Sequence, residues 1–193
     1  MRIIAGTFRG RGLKTLKGGK LRPTSDQLRE TLFDVLGPAV EGSMFLDAYA
    51  GSGAVGLEAL SRGARDVVFI EHHRPAVKLI RQNLEELGIH FGFDLLACTV
   101  AKGLERLAEE SATFDFVFLD PPYEEVREYH HILRQLGRSP LVTPRTLVIA
   151  EHSRHTALEE SYGALRRVRL LRHGDAQLSF YRLTEAAREM PAA

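Results

Sequence analysis

Apolar residues recur along this chain in two rhythms. Compact apolar runs at 44–48, 67–71, 93–99, 114–119 and 146–151 predict strands buried on both faces. Between them the spacing widens to three and four. Val77, Ile80, Leu84 and Leu87 line one face of a helix predicted over 75–87, and Val126, Tyr129, Leu133 and Leu136 mark another. Helices are also predicted over 54–62 and 103–110. Short apolar strands separated by helices predict an α/β fold of Rossmann-like type, with a mostly parallel sheet covered on both sides. The runs at 165–172 and 177–183 flank Gly174-Asp175 and predict a closing hairpin that adds antiparallel strands at one edge.

The first 39 residues follow a different pattern. Residues 2–5 and 12–16 alternate as short strands around a glycine-rich turn, which predicts a small N-terminal β-hairpin. Gly18-Gly19 and Pro23 mark a loop. Thr24-Ser-Asp-Gln27 has the form of a capping box, and Leu28, Leu32 and Leu36 follow at helical spacing up to Gly37-Pro38. Residues 1–39 are therefore expected to form an extension, and residues 40–193 the main domain. No internal repeat or low-complexity linker interrupts the chain.

Composition adds bounds. At 193 residues with 44% apolar content, the chain fits one domain with a normal core. No apolar run approaches the roughly 18 residues of a membrane span, and the basic N-terminus lacks the apolar stretch of a secretory signal. Cys98 is the single cysteine, which rules out an internal disulfide; its apolar neighbours predict a buried core thiol. A cytoplasmic location is expected. Net charge is only +1, but its distribution is uneven. Residues 1–25 hold Arg2, Arg9, Arg11, Lys14, Lys17, Lys20 and Arg22 and no carboxylate, and a second basic cluster spans Arg166, Arg167, Arg169, Arg172 and His173. Either a solvated surface or a phosphate-binding one accounts for such clusters.

Two motifs carry chemistry. In the first, a strand runs into Asp47-Ala-Tyr-Ala-Gly-Ser-Gly-Ala-Val-Gly56 and then a helix. Gly51 and Gly53 allow a tight turn and close approach of backbone to a ligand. Glu71 ends the next strand, where a carboxylate can accept from both hydroxyls of an adenosine ribose. The same glycine spacing occurs in dinucleotide folds. However, three residues separate Asp47 from the first glycine, and a pyrophosphate gains nothing from a nearby carboxylate. A ligand with a cationic amino acid tail does gain, and S-adenosylmethionine has that tail plus a sulfonium. The second motif is Asp120-Pro-Pro-Tyr123, directly after a strand, where ligand crevices of α/β sheets lie. The prolines remove two backbone donors. The Asp120 carboxylate and the Pro121 carbonyl can take the two N–H bonds of an amino group conjugated to a ring, and Tyr123 offers a face on which a flat base stacks.

With these motifs in place, the chain resembles the RsmD family of 16S ribosomal RNA guanine-N2 methyltransferases. The resemblance runs through Arg2-Ile-Ile-Ala-Gly6, Arg22-Pro-Thr24, Asp47 to Ala64, Phe114 to Tyr123, Glu151-His-Ser153 and Leu178-Ser-Phe-Tyr-Arg182. It implies a class I methyltransferase domain with a seven-stranded sheet and S-adenosyl-L-methionine as methyl donor. Asp47, Ala50, Gly51, Ser52, Gly53, Glu71 and His72 are expected to hold the cofactor. Asp120, Pro121, Pro122 and Tyr123 are expected to hold the target base. Arg9, Arg11, Lys14, Arg22 and Thr24 are expected to contact RNA. The implied substrate is guanine 966 of 16S rRNA, reached within the small ribosomal subunit by a monomeric enzyme. Thr99-Val-Ala101 departs from the acidic or amide residue that relatives often carry there, so this stretch has no assigned contact. A DNA adenine-N6 methyltransferase and a non-catalytic RNA-binding assembly protein remain as alternatives. His72-His73 and His130-His131 lack the spacing of a metal site, and neither a metal nor a membrane is expected as a partner.

Overall fold

The computed structural model describes residues 1–15, 25–122 and 124–184. It divides into two compact units, Met1–Gly103 and Leu104–Ala193, with the boundary inside a helix.

The first unit is built on three parallel strands, β1 (Met44–Ala48), β2 (Asp66–Ile70) and β3 (Phe93–Leu96), in the order β3-β2-β1. Phe45, Leu46, Val67, Phe69 and Ile70 are all buried, as an apolar run without alternation requires. Each such side chain contributes roughly 1.5–3 kcal/mol when removed from water. Helix α1 (Asp26–Leu36) begins at Ser25, whose hydroxyl accepts from the Leu28 amide at 3.1 Å. The cap is therefore one residue later than the predicted capping box, because Ser25 takes the extended backbone a cap needs. Helix α2 (Ala54–Ser61) starts at Gly53, and α3 (Arg74–Leu87) carries Val77, Ile80, Leu84 and Leu87 on its buried face. Helix α4 (Val100–Glu109) straddles the unit boundary. It starts three residues before the predicted helix, and β3 ends at Leu96 rather than 99. Val100, Leu104 and Leu107 are buried, so the apolar end of the predicted strand is the first turn of the helix face. Cys98 falls in the intervening loop and is half-buried rather than a core thiol.

The second unit holds β4 (Phe116–Leu119), α5 (Val126–Leu136), β5 (Leu147–Ser153), β6 (Ser161–Tyr162), β7 (Leu165–His173) and β8 (Ala176–Leu183). Its order is β4-β5-β8-β7-β6, parallel between β4 and β5 and antiparallel beyond. The closing hairpin turns at Gly174 with φ 59°. The ladder between β7 and β8 is irregular between Arg167 and Arg169. The two-residue strand β6 has no counterpart among the expected elements and brings the described strands to eight.

The N-terminal hairpin forms with less regularity than expected. Arg2 and Gly12 make a single antiparallel bridge, flanked by bonds from Ile3 N to Arg11 O and from Gly10 N to Ile3 O, both 2.9 Å. Four other amides go elsewhere. Ile4 and Ala5 donate to Glu58, Thr7 to the Ser61 carbonyl and Phe8 to the Ser61 hydroxyl. The segment is thus laced to α2 as well as to itself. Gly6 permits this approach, since a Cβ there would lie 1.8 Å from the Ser61 oxygen.

Candidate functional site

The glycine loop links β1 to α2. Its entry is strained: Tyr49 has φ 89°, a region that bulky residues rarely adopt. The Tyr49 and Ala50 amides both donate to the Ile70 carbonyl, at 3.2 and 3.0 Å, which holds the turn against β2. Gly51 and Gly53 follow with φ 54° and 79°. Strain of this kind persists where surroundings over-determine it and clusters at ligand sites.

Two carboxylates frame the loop. Asp47 is 2% exposed and accepts from the Gly56 amide at 2.9 Å. Burial pushes its pKa up to about 7, against the pull of the Gly56 N–H, and the charge of Glu71 adds to the rise. Glu71 is buried just beyond β2. One of its oxygens accepts from the Gly51 amide at 2.8 Å and the other from the His73 amide at 2.7 Å. Each carboxylate oxygen keeps a further lone pair for another donor. This set of acceptors fits a ligand with a cationic end for Asp47 and a pair of hydroxyls for Glu71. Ala50 is buried beside the turn, while His72 is exposed at its side chain, its Nδ1 3.6 Å from a Glu71 oxygen. Ser52 contributes its carbonyl to Asn83 at 3.0 Å.

In the second unit, Asp120, Pro121 and Pro122 follow β4 directly. Asp120 is half-buried and Pro121 buried; Tyr123 lies outside the described residues. The Pro121 carbonyl is 3.1 Å from the hydroxyl of the fully buried Tyr129, which also lies 2.8 Å from the Glu151 carbonyl. A hydroxyl has one proton to share, so the Pro121 carbonyl keeps acceptor capacity. Tyr129 thereby ties α5 to the loop after β4 and to the end of β5.

The family model of conserved hypothetical protein 95 matches residues 1–182. The chain belongs to that family. This agrees with the RsmD resemblance, since a relative from Haemophilus influenzae named Ribosomal RNA small subunit methyltransferase D is 40% identical over 64% of each chain. Among solved structures, a candidate methyltransferase, YhhF, from Escherichia coli superposes with a TM-score of 0.81 at 31% identity, covering 95% of this chain and 97% of that one. The α/β architecture is therefore the Rossmann-like methyltransferase fold of the family. A more distant RNA methyltransferase from Salinibacter ruber, solved with S-adenosyl-L-homocysteine, shares the fold with a TM-score of 0.64 at 17% identity, covering 89% of this chain and 98% of that one.

The residues expected at RNA divide. Arg9 is exposed beside a groove of about 350 Å³ that Arg2, Asp26 and Glu30 also line. Arg11 donates to the Glu86 carbonyl at 2.6 Å, and Lys14 is paired with the Glu86 carboxylate, so both are anchored on α3. Arg22 and Thr24 lie outside the described residues. Two scaffold residues escape sequence reasoning. Glu58, fully buried, holds the Ile4 and Ala5 amides and faces the equally buried Arg29 at 3.6 Å. Asn83, 1% exposed, bonds Ser52 O, Lys14 O and Lys14 N. Both sit on helix faces, and a polar residue at a core-facing helical position is the signal that marks them. Glu151 and His152 are buried, and both His152 ring nitrogens have partners, Ser153 O and Ser179 Oγ. His130 bonds the Tyr162 hydroxyl at 2.8 Å. Among the described residues no metal-binding cluster occurs, and no helix is long and apolar enough to cross a membrane.

Proposed function

We propose that this chain is an S-adenosyl-L-methionine-dependent methyltransferase acting on the exocyclic N2 amine of a guanine in 16S rRNA, in the context of the small ribosomal subunit. Guanine 966 is the target that the family resemblance implies. The observation that carries the reading is the pair of buried carboxylates, Asp47 and Glu71, framing a strained glycine loop in a family with small-subunit rRNA methyltransferases among its relatives.

When bound, the cofactor supplies a methyl group already activated on a sulfonium. The residues of this chain supply position. Asp47 pairs with the cationic tail, Glu71 accepts from the ribose hydroxyls, and the Ala50–Gly53 backbone shapes the space beside His72. The Asp120 carboxylate and the Pro121 carbonyl accept from the target amine and aim its lone pair, while Pro122 stiffens the turn and Tyr123 stacks on the base. Holding both partners in line removes much of the entropic barrier. The proton leaves the amine after attack, so no strong base is needed. The guanine must be in a loop or turned out of its stack to be reached. Residues 1–39, with Arg9 foremost, form the RNA-facing extension of the domain.

The test is transfer of a radiolabelled methyl group to small subunits, naked ribosomal RNA and DNA, with nucleoside analysis. N2-methylguanosine in small-subunit RNA is expected. Label in N6-methyladenine of DNA overturns the reading in favour of a DNA enzyme. RNA binding without transfer to any substrate leaves a non-catalytic assembly protein.

A further inference from the structure

We infer that strand β7 carries a phosphate-binding surface, built by its bulge, that grips the backbone of the RNA substrate; the inference rests on the proposed RNA reading. In a regular strand, residues three apart point to opposite faces. Arg166 and Arg169 are three apart. The ladder, however, pairs Arg166 with Arg182 and Arg169 with Phe180, which are two apart on β8. Val168 is the extra residue, 57% exposed at the bulge. Its insertion brings Arg169 onto the face that already holds Arg166 and Arg182. Bulges commonly re-aim a side chain in this way.

All three arginines are exposed. Arg166 and Arg182 stand directly opposite each other, an arrangement of like charges that weakens a sheet. Among the described residues none of the three forms an ion pair. Arg182 donates to the Arg145 carbonyl at 3.1 Å, and Arg169 lies with its guanidinium 5.9 Å from the centre of the Phe180 ring. Arg167, on the opposite face, takes the nearby carboxylate, Glu160, at 3.6 Å. The face is therefore positive, unneutralised and held in place by an aromatic ring and a carbonyl. Planar guanidiniums suit the oxygens of phosphates, which they meet with two parallel bonds. A polyanionic backbone relieves the mutual repulsion of the three.

The experiment compares wild type with the Arg166→Gln/Arg169→Gln double variant and with Arg166→Lys/Arg169→Lys. RNA affinity is measured on naked small-subunit rRNA across a salt series, alongside KM and kcat for methyl transfer and binding of S-adenosylhomocysteine. In the Gln variant the log-log salt slope should fall by about 1.5 to 2, near one for each phosphate no longer neutralised. KM for RNA should rise, while kcat at saturation and cofactor-product affinity stay at wild-type values, which also reports an intact fold. The Lys variant should keep most of the slope. Superimposable salt lines for wild type and the Gln variant overturn the inference and leave this face to an acidic protein partner. Weaker binding with an unchanged slope overturns it too, since the same number of phosphates is then still neutralised. A wild-type chain that neither binds nor methylates RNA sinks the RNA reading itself, and this inference with it.

Discussion

Asp47 holds its proton into the neutral range. Burial raises its pKa from the ordinary 3.8 to about 7. Between about pH 4 and pH 7 the folded chain thus keeps a proton that the unfolded chain has released, so this group makes stability fall as pH rises through that window and level off above it. Asp47→Asn should flatten that component, read from urea unfolding at several pH values. Cofactor binding should run the other way. A cationic tail favours the ionised carboxylate, so affinity should climb toward pH 7 in wild type and be weaker and flat in Asp47→Asn, by calorimetry. A flat wild-type profile removes Asp47 from the tail. At the second motif, Asp120→Ala should lower methyl transfer by on the order of 100-fold, because the amine loses an orienting acceptor, with little change in cofactor affinity. Near-normal turnover at saturating RNA sinks that assignment. Asp47, Glu71 and Asp120 are legible in the sequence because each is a carboxylate at or next to the end of an apolar run. Asn83 and Tyr129 are not: Tyr129 reads as a core position of α5, and only its reach to Pro121 and Glu151 gives it a positioning role.

At the scale of elements, the N-terminal segment depends on α2. Glu58 holds two of its amides, pairs with Arg62 at 2.8 Å and balances Arg29, which is wholly buried. Glu58→Ala should cost about 3–5 kcal/mol, the scale for breaking a buried pair, with Arg29 left to Asp26 at 3.0 Å. Chemical denaturation measures it, and a loss under about 1 kcal/mol would show that the pair carries little. Strand periodicity locates β1 to the residue, and the helix face of α3 is legible because its apolar spacing is unbroken. The boundary between β3 and α4 is not, because the apolar run at 95–100 satisfies both rhythms, and only tertiary burial of Val100 decides between them. β6 is too short to carry any pattern. The N-terminal strands are less regular than their pattern predicts because the sequence shows where amides are, not which carbonyl or carboxylate takes them.

For the molecule as a whole, a net charge of +1 conceals an exposed basic surface on β7. Charge balance alone therefore says little about affinity for a polyanion, and salt dependence says more. Binding of S-adenosylhomocysteine should raise the melting temperature by linkage to the folded state, and NAD should leave it unchanged; a shift with NAD alone overturns the methyltransferase reading. Asn83 adds a consequence of another kind. One buried amide joins the carbonyl of Ser52 in the glycine loop to the backbone of Lys14 in the basic N-terminal segment. Two ligands that each order one end of such a joint are cooperative, and the cooperativity is reciprocal: the factor by which cofactor tightens RNA must equal the factor by which RNA tightens cofactor. The methyl donor would then be gripped hardest when an acceptor is present and released most readily when it is not. Measuring each affinity with and without the other ligand gives that factor, and Asn83→Ala should bring it to one.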